Sequence, residues 1–351
     1  MQESGEARAA LFRERFQRIA AEVGKVIVGH REVIHDVLLC LFCGGHALLE
    51  GVPGLGKTLL VKTLSRCLDL RFSRIQFTPD LMPADIIGTT VVVEDSQGKK
   101  HFQFHRGPLF GQIVLTDEVN RATPKTQSAL LEAMQELAVT VGKMQHPLER
   151  PFFVLATQNP IEMEGTYPLP EAQNPIEMEG TYPLPEAQID RFFFKIRLTS
   201  PDLQDLTGII DRTTGGTDES VTRIIGGAEV ETMKRWVREV PIATHLKEYV
   251  SRIIMNTHPD CESAPDSIKR FVRYGSSPRG AQALVLAGKA MALFAGRFNV
   301  SGDDITRVAL PALCHRIILS FEGEAEGVTP DRLVTAVLQR VTEEMGLKIL
   351  T

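Results

Sequence analysis

The sequence is poor in cysteine and has no strong excess of either charge. Its five cysteines are an odd number and lie far apart, which argues against a disulfide framework. The formal net charge of −5 at pH 7 gives no support for an extended nucleic-acid-binding surface. Two of the cysteines, Cys40 and Cys43, form a C-x-x-C pair in an apolar helical run, and no second ligand pair lies nearby. We expect this pair to be buried packing rather than a metal or redox site.

Long apolar runs are absent as well. No stretch approaches the roughly 20 residues that a membrane-spanning helix needs. Residues 1–10 are charged and lack the apolar core of a signal peptide, so we expect a cytoplasmic protein without a membrane span. The 351 residues, 43% of them hydrophobic and 24% charged, are enough for two or three globular domains.

The most informative segment reads GVPGLGKT at residues 51–58 and fits the phosphate-binding pattern G-x-x-x-x-G-K-[ST]. Glycines let backbone N–H groups surround a phosphate, Lys57 can reach the β- and γ-phosphates, and the Thr58 hydroxyl can bind Mg²⁺. A short buried strand is predicted at 46–50 and a helix at 59–68, so the helix N-terminus would face the phosphates. A simple glycine-rich turn would leave Lys57 and Thr58 unexplained. The predicted nucleotide-binding residues in this region are Gly51, Val52, Pro53, Gly54, Leu55, Gly56, Lys57, Thr58 and Leu59.

Two acids, Asp117 and Glu118, follow a second apolar strand predicted at 112–116. In nucleotide hydrolases of this type the first acid holds Mg²⁺, and the second orients and polarises the attacking water. The alternative is an ordinary solvated strand end. Because the pair follows the phosphate loop after a further strand and hairpin, we favour the catalytic interpretation.

Strands alternate with helices up to about residue 200, which indicates a parallel sheet covered on both faces. Two hairpins are predicted near 91–104 and 139–151. The segment 201–228 is interpreted as a linker, and residues 229–351 show helical patterns, among them 267–274 and 301–321. The predicted fold is an α/β nucleotide-binding domain over 1–200, followed by a smaller all-helical domain.

Residues 158–172 read QNPIEMEGTYPLPEA, and residues 173–187 repeat the same letters without a substitution. Solenoid repeats diverge and number three or more, so this is not a solenoid. It is either a recent tandem duplication or an artefact of sequence assembly. Because the segment is rich in Pro, Gly and Glu, we expect it to form loop rather than core.

The order of these motifs resembles that of the AAA+ ATPases and, within them, the MoxR family. The resemblance spans residues from about 10 to 345. It rests on the segments 45–58, 77–83, 107–110, 117–122, 156–160, 190–192, 277–279 and 309–328.

The resemblance implies further roles. Asn159 is similar to the sensor-1 residue that holds the attacking water; alternatively, it is an asparagine that closes a strand in a turn. Arg191 resembles the arginine finger that reaches a nucleotide on the neighbouring subunit, and a plain salt bridge is the alternative. Arg279 resembles sensor 2, which binds the nucleotide within its own subunit. The alternative is a solvated arginine at the start of a helix. Residues 28–30 resemble the segment that lines the adenine pocket.

The resemblance also implies a function. It predicts a ring-forming, most often hexameric, enzyme that hydrolyses ATP with Mg²⁺. The ring would act as a chaperone that remodels a client or helps insert a metal cofactor, together with a von Willebrand factor A domain protein. A magnesium-chelatase-like ATPase subunit is an alternative. A nucleic-acid motor is less favoured, because residues 89–100 of the first hairpin carry only two basic residues, Lys99 and Lys100.

The exact repeat departs from the family, in which the segment occurs once. Asn159 is joined directly to the preceding strand, so it keeps the sensor-1 assignment, whereas Asn174 is interpreted as a loop residue. The second copy leads directly into Asp190 and Arg191. The extra length is expected to bulge between these points, near the subunit interface, at little cost in loop-closure entropy.

Overall fold

The computed structural model describes residues 4–52, 54–158, 182, 184–214 and 220–346. Five parallel strands form its central sheet in the order β2-β5-β8-β1-β9. Because all five strands are parallel, their carboxyl ends lie along one side of the sheet, called here the carboxyl edge. The strands are β1 Ala47–Glu50, β2 Phe72–Gln76, β5 Ile113–Asp117, β8 Phe153–Gln158 and β9 Phe194–Arg197.

Strands β1, β5 and β8 are almost entirely buried, as expected for a sheet with helices on both faces. The helices of this domain obey the 3.6-residue period. In the first helix, Phe12, Phe16, Ile19 and Val23 are buried on one face, and the Ser4 hydroxyl caps the N-terminus. These helices are α1 Gly5–Val26, α2 Arg31–Cys43, α3 Lys57–Cys67, α4 Pro83–Ile87, α5 Pro124–Glu136 and α6 Glu186–Ile189.

Both predicted hairpins are present. One pairs β3 (Gly88–Glu94) with β4 (Lys100–Arg106), and the other pairs β6 (Ala138–Val141) with β7 (Met144–Pro147). The ring of Phe104 stacks on that of His146 with 4.1 Å between centroids, so the hairpins contact each other. The apolar pair Val92 and Phe102 remains exposed near the end of the first hairpin.

The second unit is helical, as predicted, with one addition. A two-stranded antiparallel sheet joins β10 (Val272–Tyr274) to β11 (Ile318–Leu319), where the periodicity had suggested helix. This pairing joins residues about 45 positions apart, which a local periodicity cannot reveal. The helices are α8 Gly227–Glu239, α9 Thr244–Met255, α10 Asp266–Phe271, α11 Pro278–Phe294, α12 Gly302–Leu313, α13 Phe321–Ala325 and α14 Pro330–Met345.

The region between the two units contains a helix, α7 Leu203–Thr214, inside the segment 201–228 that we interpreted as a linker. Helix α1 packs both on α3 of the nucleotide-binding domain and on α11 of the helical unit. The domain limits 1–200, 201–228 and 229–351 therefore stay a prediction, because a shared core runs across them.

Most of the exact repeat lies outside the described residues, but the end of its second copy does not. Leu184 is buried in the core beside α5, and the carbonyl oxygen of Tyr182 accepts a hydrogen bond from Gln127 at 3.0 Å. The Tyr182 N–H donates to the carbonyl oxygen of Asn120 at 2.6 Å. The expectation that the repeat adds nothing to the core is therefore wrong for these final residues.

The C-x-x-C pair lies where the sequence predicted it, in a buried helix. Cys40 and Cys43 are buried, free thiols in α2, and burial raises the pKa of both. Among the described helices, none is both long enough and apolar enough to cross a membrane.

Candidate functional site

The predicted phosphate loop connects β1 to α3 at the carboxyl edge. Gly54 and Gly56 have φ angles of +87° and +74°, in the left-handed region that glycine adopts without strain. At Gly51 the limit is space instead, because a Cβ there would lie 2.9 Å from the Cβ of Leu198. Glycine is therefore favoured at 54 and 56 by backbone conformation and at 51 by lack of space. Pro53 lies outside the described residues.

Lys57 is the first residue of α3, and its ammonium group donates a hydrogen bond to the Gly51 carbonyl oxygen. Burial lowers the pKa of Lys57, and the nearby carboxylates of Asp117, Glu118 and Glu50 oppose that shift. The lysine and both predicted catalytic acids therefore lie within electrostatic reach of one another. Gly51 is buried. The other described residues of the loop are partly or fully exposed; they are Val52, Gly54, Leu55, Gly56, Thr58 and Leu59.

Asp117 is the last residue of β5 and is buried. Its Oδ2 accepts a hydrogen bond from Arg74 Nε at 2.7 Å, and its Oδ1 accepts one from the Thr157 hydroxyl at 3.2 Å. Arg74 is half-exposed, so this guanidinium reaches the carboxylate from the solvent side. Asp117 is thus oriented by two side chains from the neighbouring strands β2 and β8.

Glu118 has a φ of 55°, which is uncommon for a residue with a side chain and typical of functional turns. Its N–H donates to the Thr157 hydroxyl at 3.0 Å, so Thr157 contacts both acids. Its carboxylate accepts a hydrogen bond from Gln76 Nε2 at 3.0 Å and lies 3.2 Å from Arg121 Nε. The glutamate is therefore held in a defined position at the carboxyl edge.

The sequence analysis gave no role to Arg74, Gln76 or Thr157. The sequence does contain a signal for two of these residues. Arg74 and Gln76 are two positions apart on β2, so their side chains lie on the same face of the sheet beside β5. Gln76 is directly opposite Asp117 in the register. Polar side chains near the end of a strand next to a catalytic strand are candidates for contacts with the acids.

The donors at this edge suit a magnesium ion bound through a nucleotide. Mg²⁺ prefers oxygen ligands and is usually bound by one or two protein groups together with phosphates and waters. The Asp117 carboxylate and the Thr58 hydroxyl supply oxygens beside the phosphate loop. Among the described residues there is no cluster of three or more His, Cys, Asp or Glu side chains that could hold a metal without a nucleotide.

Arg191 lies in the turn between α6 and β9. Its N–H donates to the Gln188 carbonyl oxygen at 3.2 Å, and its Nε is buried without a hydrogen-bond partner among the described residues. Asn159, the predicted sensor-1 residue, and its copy Asn174 lie outside those residues. Their roles stay predictions.

Arg279, near the start of α11, lies at a junction between the two units that we name the Asp190 junction: Asp190, Ser277, Arg279 and Arg316. The Asp190 carboxylate accepts hydrogen bonds from Arg279 Nη1 at 3.2 Å and from Arg316 Nε at 3.0 Å. The Ser277 hydroxyl lies 2.8 and 3.0 Å from its two oxygens. Sequence analysis singled out Arg279 but found none of its partners.

A cleft of about 420 Å³ opens at the carboxyl end of β9. It lies between the N-terminus of α2, the end of β9, and helices α7 and α12. His30, from the segment predicted to line an adenine pocket, contributes to its wall, with Lys195 and Arg197 on one side and Leu310 on another. Lys195 forms an ion pair with Glu50 at 2.7 Å, which ties the cleft to the end of β1.

One buried histidine and one partly buried histidine have structural contacts. His46 accepts a hydrogen bond at Nδ1 from the Val154 N–H at 3.0 Å, and its Nε2 donates to the Met134 carbonyl oxygen at 3.2 Å. Burial lowers the pKa of His46 to about 4. Burial also lowers the pKa of His315, whose Nε2 donates to the Phe192 carbonyl oxygen at 3.1 Å. Both imidazoles are therefore neutral near pH 7.

Comparisons with known proteins agree with this arrangement. The profile of the "ATPase family associated with various cellular activities (AAA)" matches residues 46–174 and 171–194, and that of the "AAA lid domain" matches 267–337. "Chaperone MoxR1" of Mycobacterium tuberculosis is 38% identical over 93% of this chain and 81% of its own length. The chain belongs to the MoxR family of AAA+ ATPases. Membership implies nucleotide binding and ATP hydrolysis, and members of this family typically oligomerise.

Other MoxR relatives extend over nearly all of the chain. Protein YeaC of Bacillus subtilis is 38% identical over 91% of this chain and 92% of its own length. A crystal structure of a presumed ATPase from Cytophaga hutchinsonii superposes with a TM-score of 0.84 at 40% identity, covering 95% of this chain and 96% of that one.

The two AAA matches overlap at residues 171–174, inside the exact repeat. The first match runs through the first copy, and the second match contains the whole second copy. The boundary between the two matches therefore falls inside the repeat.

Proposed function

We propose that this MoxR-family protein hydrolyses ATP with Mg²⁺ at the carboxyl edge of its sheet. The observation that carries the proposal is geometric: the phosphate loop with Lys57 follows β1, and Asp117 and Glu118 end β5, at the same edge of one parallel sheet. Lys57 and the loop residues 51–59 bind the phosphates, and Thr58 and Asp117 hold the metal. Glu118 orients and polarises the attacking water, assisted by Asn159.

When bound, Mg²⁺ neutralises charge on the phosphate oxygens of the nucleotide. The adenine base occupies the cleft beside His30. Arg279 reaches the terminal phosphate from the helical unit of the same subunit. The cleft supports the adenine assignment, because its wall includes His30 and residues at the carboxyl end of β9.

We further propose a hexameric ring in which Arg191 reaches the nucleotide of the neighbouring subunit. Among the described residues, the buried Arg191 Nε has no hydrogen-bond partner, and a bound anion would supply the acceptor that such a donor requires. The ring acts on a client protein, by remodelling it or by aiding insertion of a metal cofactor. A protein with a von Willebrand factor A domain is the proposed partner. The name of the mycobacterial relative, a chaperone, supports this type of function.

Two substitutions test the assignments. Glu118→Gln keeps the size of the side chain but removes the carboxylate, so ATP should still bind while turnover falls by a factor on the order of 100 or more. Lys57→Ala removes the phosphate contact and should abolish both binding and turnover. Nucleotide binding and phosphate release are measured with and without Mg²⁺. Turnover of Glu118→Gln at the parent rate would show that Glu118 is not the catalytic carboxylate.

A further inference from the structure

Arg74 is the one cation, among the residues that the structure describes, that forms an ion pair with Asp117. It belongs to β2 and stands opposite Leu115 in the register, two positions before the end of the strand. Its Nε nevertheless donates to Asp117 Oδ2 at 2.7 Å, and its Nη2 donates to Gln76 Oε1 at 3.1 Å. The side chain therefore extends along the sheet, and the guanidinium lies at the carboxyl edge.

The two carboxylate oxygens of Asp117 have partners of different kinds. Oδ1 accepts a hydrogen bond from the Thr157 hydroxyl, which also accepts the Glu118 N–H. Thr157 is buried and holds both acids at once. Oδ2 is bonded to Arg74, whose side chain is 50% exposed and can move into water. Oδ2 is therefore the oxygen whose protein partner can be exchanged for a metal ion.

A carboxylate buried as deeply as that of Asp117 needs a counter-charge. Its side chain is 10% exposed, and removing the cation from a buried carboxylate is strongly destabilising. A second cation on the same carboxylate is unfavourable for the opposite reason, because like charges in close contact repel each other. Asp117 is thus suited to one cation at a time. Of an arginine and a divalent ion at this position, the half-exposed arginine is the one that can withdraw into solvent.

We propose that Arg74 competes with Mg²⁺ for Asp117: it neutralises this carboxylate when no metal is bound and yields Oδ2 to the metal that arrives with the nucleotide. This rests on the proposed function, in which Asp117 and Thr58 hold the metal. Arg74 is a positioning residue that lowers the affinity of the site for Mg²⁺. Its hydrogen bond to Gln76 keeps the released guanidinium at the carboxyl edge, so that it returns when the metal leaves.

The test measures how strongly Mg²⁺ enhances the binding of a non-hydrolysable ATP analogue. Titration calorimetry on the full chain gives the dissociation constant with EDTA and with Mg²⁺, and the first divided by the second is the metal enhancement. An effect on the analogue that does not involve the metal cancels in this ratio. Arg74→Gln removes the competing charge and keeps a hydrogen-bonding side chain. It should raise the metal enhancement about 3- to 5-fold, the effect of losing a half-exposed ion pair.

Two further variants serve as controls. Arg71 directly precedes β2 at the opposite end of the strand, is 57% exposed and pairs with Glu149. Arg71→Gln therefore removes an arginine of similar exposure that does not contact Asp117, and its metal enhancement should equal that of the parent. Arg74→Lys keeps the positive charge and should remain within about 2-fold of the parent. If Arg74→Gln does not fold, Arg74→Met, an uncharged side chain of similar length, replaces it in the comparison.

Asp117→Asn separates this inference from the proposed function. If Asp117 holds the metal, Asp117→Asn lowers the metal enhancement, and adding Arg74→Gln to it has no further effect. An enhancement that Asp117→Asn leaves unchanged would show that the proposed metal site is wrong, and the inference with it.

If Asp117→Asn does lower the enhancement, three results would overturn the inference alone. The first is no increase with Arg74→Gln, and the second is an equal increase with Arg71→Gln or Arg74→Lys. The third is a decrease with Arg74→Gln, which would mean that Arg74 orients Asp117 for the metal instead of competing with it.

Discussion

Two aspartates organise this molecule, the buried Asp117 and the partly buried Asp190, and their surroundings differ. Asp117 ends a strand of the central sheet and has one half-exposed arginine and one hydroxyl as partners. Asp190 lies between the two units and has two arginines, one of them fully buried, and a hydroxyl.

The difference matches the role that we propose for each carboxylate. A side chain that is to bind a metal ion must be able to exchange its partners, and a half-exposed arginine can move into solvent. A side chain that holds two structural units together needs a permanent counter-charge, and a buried arginine satisfied by several carbonyl oxygens supplies it. For these two aspartates, the exposure of the partner arginine distinguishes the proposed metal-binding carboxylate from the structural one.

The largest expected effect comes from removing the buried partner. Arg316→Ala leaves Asp190 without its main counter-charge and removes the hydrogen bonds that Arg316 donates to four carbonyl oxygens. We expect a loss of about 3–5 kcal/mol in the free energy of unfolding. Chemical denaturation followed by circular dichroism measures it.

Arg74→Ala is the matched control, since it removes the corresponding arginine from Asp117. Arg74 is half-exposed, so the free energy of unfolding should fall by no more than about 1 kcal/mol. Equal losses in the two variants would contradict the distinction between an exchangeable and a permanent partner.

A smaller effect, on turnover rather than stability, is expected at Thr157. Thr157→Val keeps the shape of the side chain but removes the hydroxyl that contacts Asp117 and the Glu118 N–H. We expect turnover to fall about 10-fold, since the position of Glu118 is no longer fixed.

Ser277→Ala is the matched change at Asp190, because it also removes a hydroxyl bonded to a carboxylate. There the loss should appear in stability, at about 1 kcal/mol for a helix cap. Steady-state ATPase assays and thermal melts of both variants make the comparison. Unchanged turnover in Thr157→Val would remove Thr157 from the catalytic site.

Sequence reasoning was effective for the Asp117 region and weak for the Asp190 junction. Asp117 and Glu118 follow an apolar strand, and Lys57 and Thr58 follow a glycine pattern, so local spacing was enough to select all four as candidates. The parallel sheet, both hairpins and the helical second unit could also be predicted, because each leaves a period or a turn signal in the sequence.

The junction depends on contacts between distant positions. The partners of Asp190 are 87, 89 and 126 residues away, and no local pattern indicates that they meet. The same reason explains why the strand pair β10–β11 and the role of α1 in both units were missed. The third partner of the catalytic acids, Gln76, was closer to detection because it is directly opposite Asp117 in the sheet.

The smallest effect should follow from removing one copy of the exact repeat, which separates the two aspartate regions. Deleting residues 173–187 shortens the connection between Gln158 and Tyr182 from 23 to 8 residues. Because the copies are identical, the resulting sequence is the same whichever copy is removed, and it still supplies the tyrosine and leucine that contact α5. For an unconstrained chain, this shortening lowers the entropic cost of closing the loop by roughly 1 kcal/mol. The variant should therefore be at least as stable as the parent. Thermal melts, ATPase assays and sedimentation of both proteins decide the matter. Unfolding or loss of hydrolysis on deletion would show that Asp117 and Asp190 depend on the longer spacing between them.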